Sequence, residues 1–413
     1  AGRGGEGEVS GLDRRTMLAG LGAGTAALAT GVAEARIRPG DLKPLIGPGH
    51  KPTDADEIGL WQQMQRVEEE VAGSNLLNKD PALNAYLKQL IGKVGGPAAQ
   101  DMRIYLARIP EFNAVMFPTG FTVIFSGLLL RMRDEAQLAG VIAHESSHFL
   151  LRHQIRQWRD LKRKSNVFTF LAMGAGLAGG ATGTYTGDLV QLAQLGTILS
   201  LFRYNRQLEA ESDALGVKLL ADAGYDPMSM SETWDQLITE IEWSARERRK
   251  RPNRGYSIFA THPAPRERLN DLKLSAQELT VPGRMYDRGR ERYQAAIAPI
   301  GTMLFDDQVK LNDPGASQYI VETLAKDGWN GALLFARGEI NRLRNSEIYQ
   351  TAAARDYAAA TAYPDAPADA WRWHGVMLMK QGRREEGRAA LQRYLSMSPN
   401  APDAPFVRQM VQG

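Results

Sequence analysis

Residues 141–150 read Val141-Ile-Ala-His-Glu-Ser-Ser-His-Phe-Leu150 and contain the pattern H-E-x-x-H. His144 and His148 are four residues apart, so on a helix their imidazoles project from one face and can bind one cation. Glu145 lies one position along, where its carboxylate can reach a water held by that cation and take its proton. The segment therefore predicts a helix that carries two metal ligands and a general base.

The third ligand has to come from a distant part of the chain. In the layout H-E-x-x-H-x-x-G-x-x-H it follows closely, but Leu151 and Gln154 occupy the positions of that glycine and histidine. His153 is five residues after His148, which is well off the ligand face of a continuous helix, so we do not favour it as a ligand.

The best candidate for the third ligand lies in residues 203–214, a helix-prone run with Glu209 and Asp213 four residues apart. One carboxylate can bind the metal while the other orients a ligand histidine through its free ring N–H. Three protein ligands and a water form an open, catalytic site, and two histidines with a glutamate favour zinc. The chain has no cysteine, which excludes a thiolate zinc site.

In combination these motifs resemble the zincin peptidases that include the heat-shock protease HtpX and the CAAX prenyl protease. The resemblance covers roughly residues 58 to 275. It implies that His144, His148 and Glu209 are ligands of one Zn²⁺, that Glu145 is the general base, and that Asp213 is the partner of a ligand histidine. Other segments also match the family: Asn113-Ala114, Pro118-Thr119-Gly120, Ser126-Gly127-Leu128-Leu129, Arg206 (three residues before the ligand glutamate), Ala223-Gly224-Tyr225-Asp226-Pro227 and Thr261-His262-Pro263. Thr119 departs from the family pattern, where a second glycine is common.

His262 has two possible roles under this resemblance. It could stabilise the transition state, or it could act as a fourth ligand that displaces the catalytic water. We favour the second role, in which the enzyme is latent until a client moves the loop. Substitution of His262 by alanine should then raise proteolysis, whereas a drop would indicate transition-state stabilisation.

The fold class predicted is α+β with a helical majority. Apolar residues at helical spacing predict helices over 58–71 and 81–94, and short β-prone runs cover 102–107, 112–117 and 121–125. We expect the last run to be an edge strand beside the metal that pairs with an extended substrate, with an ordinary core strand as the alternative. Its residues are Phe121, Thr122, Val123, Ile124 and Phe125.

The C-terminal third predicts helical repeats of the tetratricopeptide type. Trp371, Gly375, Leu391, Tyr394 and Pro399 fall at the spacings of one repeat, and a poorer copy precedes it. Its concave face could bind a client or the outer-membrane assembly machinery; the alternative is a brace for the peptidase. We therefore expect a metallopeptidase domain over 58–295 and repeats over 296–413.

The N-terminus predicts export. Arg14-Arg15 precedes an uncharged Ala/Gly/Leu stretch and an Ala33-Glu34-Ala35 cleavage site, which indicates a twin-arginine signal over 1–35, with a linker over 36–57. The net charge of +3 does not argue for a nucleic-acid partner. Residues 166–187 carry no charge and are rich in glycine. We interpret them as a hairpin over the cleft that could touch a membrane surface rather than as a membrane span.

An exported zincin joined to repeats most resembles the periplasmic β-barrel assembly-enhancing proteases. The resemblance implies a zinc endopeptidase that degrades misfolded or stalled outer-membrane proteins and helps productive ones assemble. Two alternatives remain: a chaperone or scaffold whose zinc site is closed by His262, and a general protease without a dedicated partner.

Overall fold

A computed structural model describes residues 36–164, 203–249, 262 and 266–412. The first two helices are α1 (Ala55–Gly73) and α2 (Pro81–Val94), so both helices expected in this region are present. Asp80 accepts a hydrogen bond from the amide of Leu83, and Pro81 occupies the first turn of α2, where its missing N–H costs nothing. Within the predicted linker, Ile46 is buried in the core, so part of that segment packs on the domain.

The sheet has three strands: β1 (Arg103–Ala107), β2 (Ala114–Met116) and β3 (Phe121–Phe125). Their order is β1-β3-β2, with β1 parallel and β2 antiparallel to β3. The prediction that Phe121–Phe125 is an edge strand is therefore wrong. Both sides of β3 are paired, and all five of its side chains are buried. The edge strands of this sheet are β1 and β2, and Met116 of β2 lies beside the H-E-x-x-H motif.

The helix of the H-E-x-x-H motif runs through the middle of the domain. After α3 (Ser126–Arg131), α4 (Glu135–Leu150) begins at Asp134, whose side chain accepts a hydrogen bond from the amide of Gln137. All of its side chains except Val141 are buried, because α4 packs against the sheet on one side and against later helices on the others. The helices that follow are α5 (His153–Lys164), α6 (Arg206–Asp222), α7 (Met228–Glu247) and α8 (Arg266–Leu279).

The C-terminal part of the described chain is helical, as expected. Two antiparallel pairs, α12 with α13 and α14 with α15, cover the region of the predicted repeats. Gly338 and Gly375 allow the partners to approach closely: a Cβ there would lie 2.6 Å from the Tyr357 ring and 2.8 Å from Leu391. The helices are α9 (Arg290–Ile297), α10 (Gly301–Lys310), α11 (Pro314–Leu324), α12 (Gly331–Leu343), α13 (Glu347–Ala360), α14 (Ala368–Lys380), α15 (Arg384–Met397) and α16 (Ala404–Gln412). The expected α+β class with a helical majority is confirmed.

Charged side chains join the helices after residue 300 to the earlier part of the domain. Arg131 at the end of α3 pairs with Glu240 on α7 at 2.7 Å, and its guanidinium also donates to Gln308 on α10. Arg108 forms a two-point pair with Asp307. Separation of α10 from these arginines would leave charged groups without their partners, which costs free energy. The contacts therefore hold the later helices against the earlier part of the domain.

Several expectations fall on residues that the structure does not describe. These are the signal sequence over 1–35 and the hairpin over 166–187. Within the described ranges, no helix combines the length and the apolar character needed to cross a membrane.

Candidate metal centre

Two helices bring the predicted ligands together. α4 carries His144 and His148, and α6 carries Glu209 in its first turn, after Asn205 caps the helix by accepting from the amide of Leu208. The helices cross at Gly216, where a Cβ would lie 3.1 Å from the backbone of His144. A glycine at this position therefore sets how closely the third ligand approaches the other two.

The donor atoms have the spacing of a tetrahedral metal site. His144, His148, Glu209 and His262 each offer one atom, and these atoms all lie within 4.8 Å of one another. The two Nε2 atoms of His144 and His148 are 3.1 Å apart, and Glu209 Oε1 lies 3.5 Å from His148 Nε2. Bonds of about 2.0 Å in tetrahedral geometry put donors about 3.3 Å apart, so the residues present fit a zinc-sized ion.

Burial keeps His148 in the form that binds metal. His148 is fully buried, and this burial lowers its pKa well below the ordinary value, so the ring stays neutral. The ring of Tyr204 stacks on it with centroids 3.7 Å apart. A neutral imidazole presents a lone pair to a cation without first losing a proton.

Asp213 occupies the position expected for the partner of a ligand histidine. Its Oδ1 lies 3.0 Å from His144 Nδ1, the ring nitrogen that faces away from the other donors. Burial alone would raise the pKa of Asp213, but the guanidinium of Arg268 holds it far below its usual range. The carboxylate is therefore ionised and can accept the His144 N–H, which fixes the tautomer that leaves Nε2 free.

Arg268 is a site residue that the sequence reasoning missed. Its Nη1 lies 2.5 Å from Glu209 Oε2, its Nε and Nη2 pair with Asp213, and its guanidinium covers the Trp234 ring at 4.5 Å. Arg206, the arginine named from the sequence, is exposed at the first residue of α6. Arg268 carries no local signature, because only the packing of α8 on α6 brings it to the carboxylates.

The predicted general base faces the same cluster. Glu145 is buried beside the ligands, and its Oε2 accepts a hydrogen bond of 3.1 Å from the backbone amide of Met116 on β2. Burial raises the pKa of Glu145, so its carboxylate has a greater tendency to take up a proton than an exposed glutamate. Its other oxygen lies 3.4 Å from His262 Nε2.

His262 stands between the third ligand and the base. Its Nδ1 is 2.9 Å from Glu209 Oε1 and 3.4 Å from His144 Nε2, while Nε2 faces Glu145. Burial would lower the pKa of His262, but the carboxylates of Glu209 and Glu145 together raise it above its ordinary value. One imidazole thus contacts both the ligand set and the catalytic carboxylate.

A small, mostly apolar cleft adjoins these residues. It opens beside His144, Glu145 and His262. The rest of its wall is formed by the largely apolar set Phe112, Gly140, Val141, Met230, Thr233 and Trp234.

Comparison with known proteins agrees with this geometry. Residues 77–276 match the model of peptidase family M48, and this span contains every residue of the centre described above. This part of the chain is a domain of peptidase family M48. Its buried His144, His148 and Glu209 lie within the matched span and form an intact candidate metal site.

Several known proteins are similar to part of this chain. The beta-barrel assembly-enhancing protease of Escherichia coli (strain K12) is 29% identical over 233 residues, which is 54% of this chain and 45% of the relative. The mitochondrial metalloendopeptidase OMA1 of Schizosaccharomyces pombe is 25% identical over 195 residues, 47% of this chain and 52% of the relative. Metalloprotease LoiP of E. coli is 26% identical over 199 residues, 47% of this chain and 71% of the relative. The chain thus spans about half the length of the first of these relatives.

Proposed function

We propose that this M48 peptidase is a zinc-dependent endopeptidase of the bacterial periplasm that acts on misfolded or stalled outer-membrane proteins. The observation that carries the enzymatic part is the tetrahedral spacing of His144, His148 and Glu209 beside the buried carboxylate of Glu145. The similarity to proteins named for β-barrel assembly supports the client class. The twin-arginine pattern in the sequence supports the compartment.

The chain's own residues perform most of the chemistry. Zinc, when bound by His144, His148 and Glu209, would polarise the scissile carbonyl and acidify water. Glu145 takes the proton of the attacking water and delivers it to the leaving amine as the C–N bond breaks. The amide of Met116 holds the Glu145 carboxylate in place between these two transfers.

His262 makes this enzyme latent in our proposal. Its Nδ1 lies among the donor atoms and its Nε2 faces Glu145, so the ring occupies the space that the attacking water needs. A fourth protein ligand closes a zinc site, whereas catalysis requires an open position. Displacement of His262 by a client or partner would open the centre.

The test is cleavage of an unfolded outer-membrane polypeptide by zinc-loaded wild type, His262→Ala and Glu145→Gln proteins in parallel. We expect faster cleavage by His262→Ala and none by Glu145→Gln. Slower cleavage by His262→Ala would assign His262 to transition-state stabilisation instead. Zinc content is measured for each protein, so that a loss of metal is not mistaken for a loss of chemistry.

The closed arrangement also favours a second candidate function. With His262 seated among the donors, the chain could serve as a chaperone or scaffold whose zinc site is structural. A chaperone or scaffold function predicts that neither wild type nor His262→Ala cleaves any client while zinc is bound. It also predicts that Glu145→Gln supports outer-membrane protein assembly as well as wild type does.

We further propose that the C-terminal helices bind the client or the assembly machinery. Deletion of residues 300–413 is an ambiguous test, because it removes Gln308 and Asp307, the partners of Arg131 and Arg108. Substitutions on the exposed side of the helices avoid this problem. Ile348 and Phe406 are largely exposed, so Ile348→Asp and Phe406→Asp should weaken client capture without reducing cleavage of casein. Casein cleavage that falls in parallel would contradict a separate binding role.

A further inference from the structure

The break between α4 and α5 brings a third histidine of the motif segment against the second. Arg152 adopts the left-handed conformation, with φ of 56°, and α5 begins at the next residue. The chain therefore turns between His148 and His153 instead of continuing as one helix. As a result, His153 Nδ1 lies 2.9 Å from His148 Nδ1, and both side chains are fully buried.

The opposite side of the His153 ring contacts a carboxylate. Its Nε2 lies 3.0 Å from Glu211 Oε2, on α6 two residues after the ligand Glu209. Arg156 donates to the same oxygen at 2.6 Å, and Ser212 Oγ lies 3.2 Å from His153 Nδ1. These contacts form one continuous row. Glu211 contacts His153, and His153 contacts His148 at Nδ1, the ring nitrogen that does not face the other donors.

Only one arrangement of protons satisfies this row when His148 binds metal through Nε2. That nitrogen then needs its lone pair, so the proton of His148 is on Nδ1 and donates to His153 Nδ1. His153 consequently carries its own proton on Nε2 and donates it to Glu211, which as a carboxylate can only accept. This assignment follows from the hydrogen-bond partners. It also excludes His153 as a ligand, because its ring lies behind His148 rather than among the donors.

We propose that His153 is a positioning residue for the metal centre, which holds the tautomer and ring orientation of His148, and that Glu211 orients His153. The inference rests on the proposed metal binding and adds to it. The centre then has a partner behind each ligand histidine: Asp213 behind His144 and His153 behind His148. Loss of such a partner typically weakens metal binding about 10–100-fold.

Two substitutions of His153 separate hydrogen bonding from packing. Asparagine places its carbonyl oxygen where His153 Nδ1 is, so His153→Asn keeps an acceptor for His148. Glutamine places its polar group one bond further, so His153→Gln reaches Glu211 but leaves the His148 N–H without a partner. The affinity of the full chain for Zn²⁺ is measured by competition with a chromophoric chelator, and the visible spectrum of the Co²⁺-loaded protein reports the ligand geometry.

We expect His153→Gln to bind Zn²⁺ about 10–100-fold more weakly than wild type and to have an altered Co²⁺ spectrum. His153→Asn should stay within a few-fold of wild type and keep its spectrum. Wild-type affinity in both variants, or equal losses in two folded variants, would overturn the proposal. Absence of Zn²⁺ binding by the wild-type chain would instead refute the proposed function.

A third variant covers the case in which substitutions of the buried His153 prevent folding. Glu211→Ala removes the carboxylate that orients His153 but leaves both histidines in place, and should lower Zn²⁺ affinity by about tenfold. The matched control is Gln207→Ala, because Gln207 is exposed and contacts Glu211 at 3.0 Å without touching His153. Equal affinities for Glu211→Ala and Gln207→Ala would overturn the proposal.

Discussion

Arg268 and Asp213 form a two-point ion pair behind the metal centre, with Nε 2.5 Å from Oδ2 and Nη2 2.8 Å from Oδ1. Both side chains are buried, and Arg268 also contacts Glu209. One cation therefore balances two buried carboxylates, of which one is a ligand and the other orients a ligand. The charge of the centre is set by this arginine as well as by the metal.

Substitution of Arg268 should consequently destabilise the metal-free protein. Arg268→Ala leaves Glu209 and Asp213 buried without a cation, and loss of one partner of a buried pair costs about 3–5 kcal/mol. Urea unfolding in the presence of EDTA measures this cost. Arg266→Ala is the control, because Arg266 is largely exposed and pairs with Glu242 on the surface of α7. Equal unfolding free energies for the two variants would contradict the structural role of Arg268.

Metal binding should be visible as thermal stability. A ligand that binds only the folded chain stabilises it by about 2.7 kcal/mol at a concentration of 100 times its Kd. EDTA should therefore lower the Tm of wild type. It should leave the Tm of His148→Ala nearly unchanged, because that variant lacks a ligand already. If EDTA removes the zinc but leaves the Tm of wild type unchanged, metal binding does not stabilise the folded chain.

The helix crossing at Gly216 gives a prediction that joins packing to metal affinity. Gly216→Ala places a Cβ 3.1 Å from the His144 backbone, so α6 has to move away from α4. Overpacking of this kind typically costs about 1–3 kcal/mol, and here it also withdraws Glu209 from the histidines. Gly59→Ala is the control: nothing lies within 4 Å of a Cβ at this helical position, so a gain of about 0.5–1 kcal/mol is expected. Chelator competition measures the Zn²⁺ affinity of both variants, and thermal unfolding measures their stability.

The local features of the site could be predicted from sequence, whereas its tertiary contacts could not. His144 and His148 were recognisable as candidate ligands from helical spacing and residue type, whereas the choice of Glu209 over Asp213 came from the resemblance to zincin peptidases. β3 was expected at an edge because zincins have an edge strand beside the metal. A β-prone run does not indicate which strands pair with it, so its central position could not be predicted. On a continuous helix His153 would lie away from the ligand face. The left-handed Arg152 ends that helix, and sequence alone does not show this break. Arg268 is invisible in sequence because its partners are 55 and 59 residues away.

Acid should destabilise the metal-free chain through Glu135 at the start of α4. Burial would raise the pKa of Glu135, but hydrogen bonds from Arg292 at 2.8 Å and Tyr225 at 2.6 Å bring it below its ordinary value of 4.5. A carboxyl with a depressed pKa in the folded state contributes stability that is fully present above the unfolded value. That contribution is lost as the pH falls from about 4.5 through the lower folded pKa.

Glu135→Gln isolates this contribution because glutamine keeps the shape but does not titrate. In urea unfolding with EDTA, wild type should lose stability below pH 4.5 more steeply than Glu135→Gln, while the variant should already be less stable at neutral pH. Glu347→Gln serves as the control, because Glu347 is exposed at the start of α13. Parallel curves for wild type and Glu135→Gln would show that the pair with Arg292 does not contribute to the pH dependence. A reduced slope in Glu135→Gln alone would place part of the acid sensitivity at the N-terminus of the helix that carries the metal ligands.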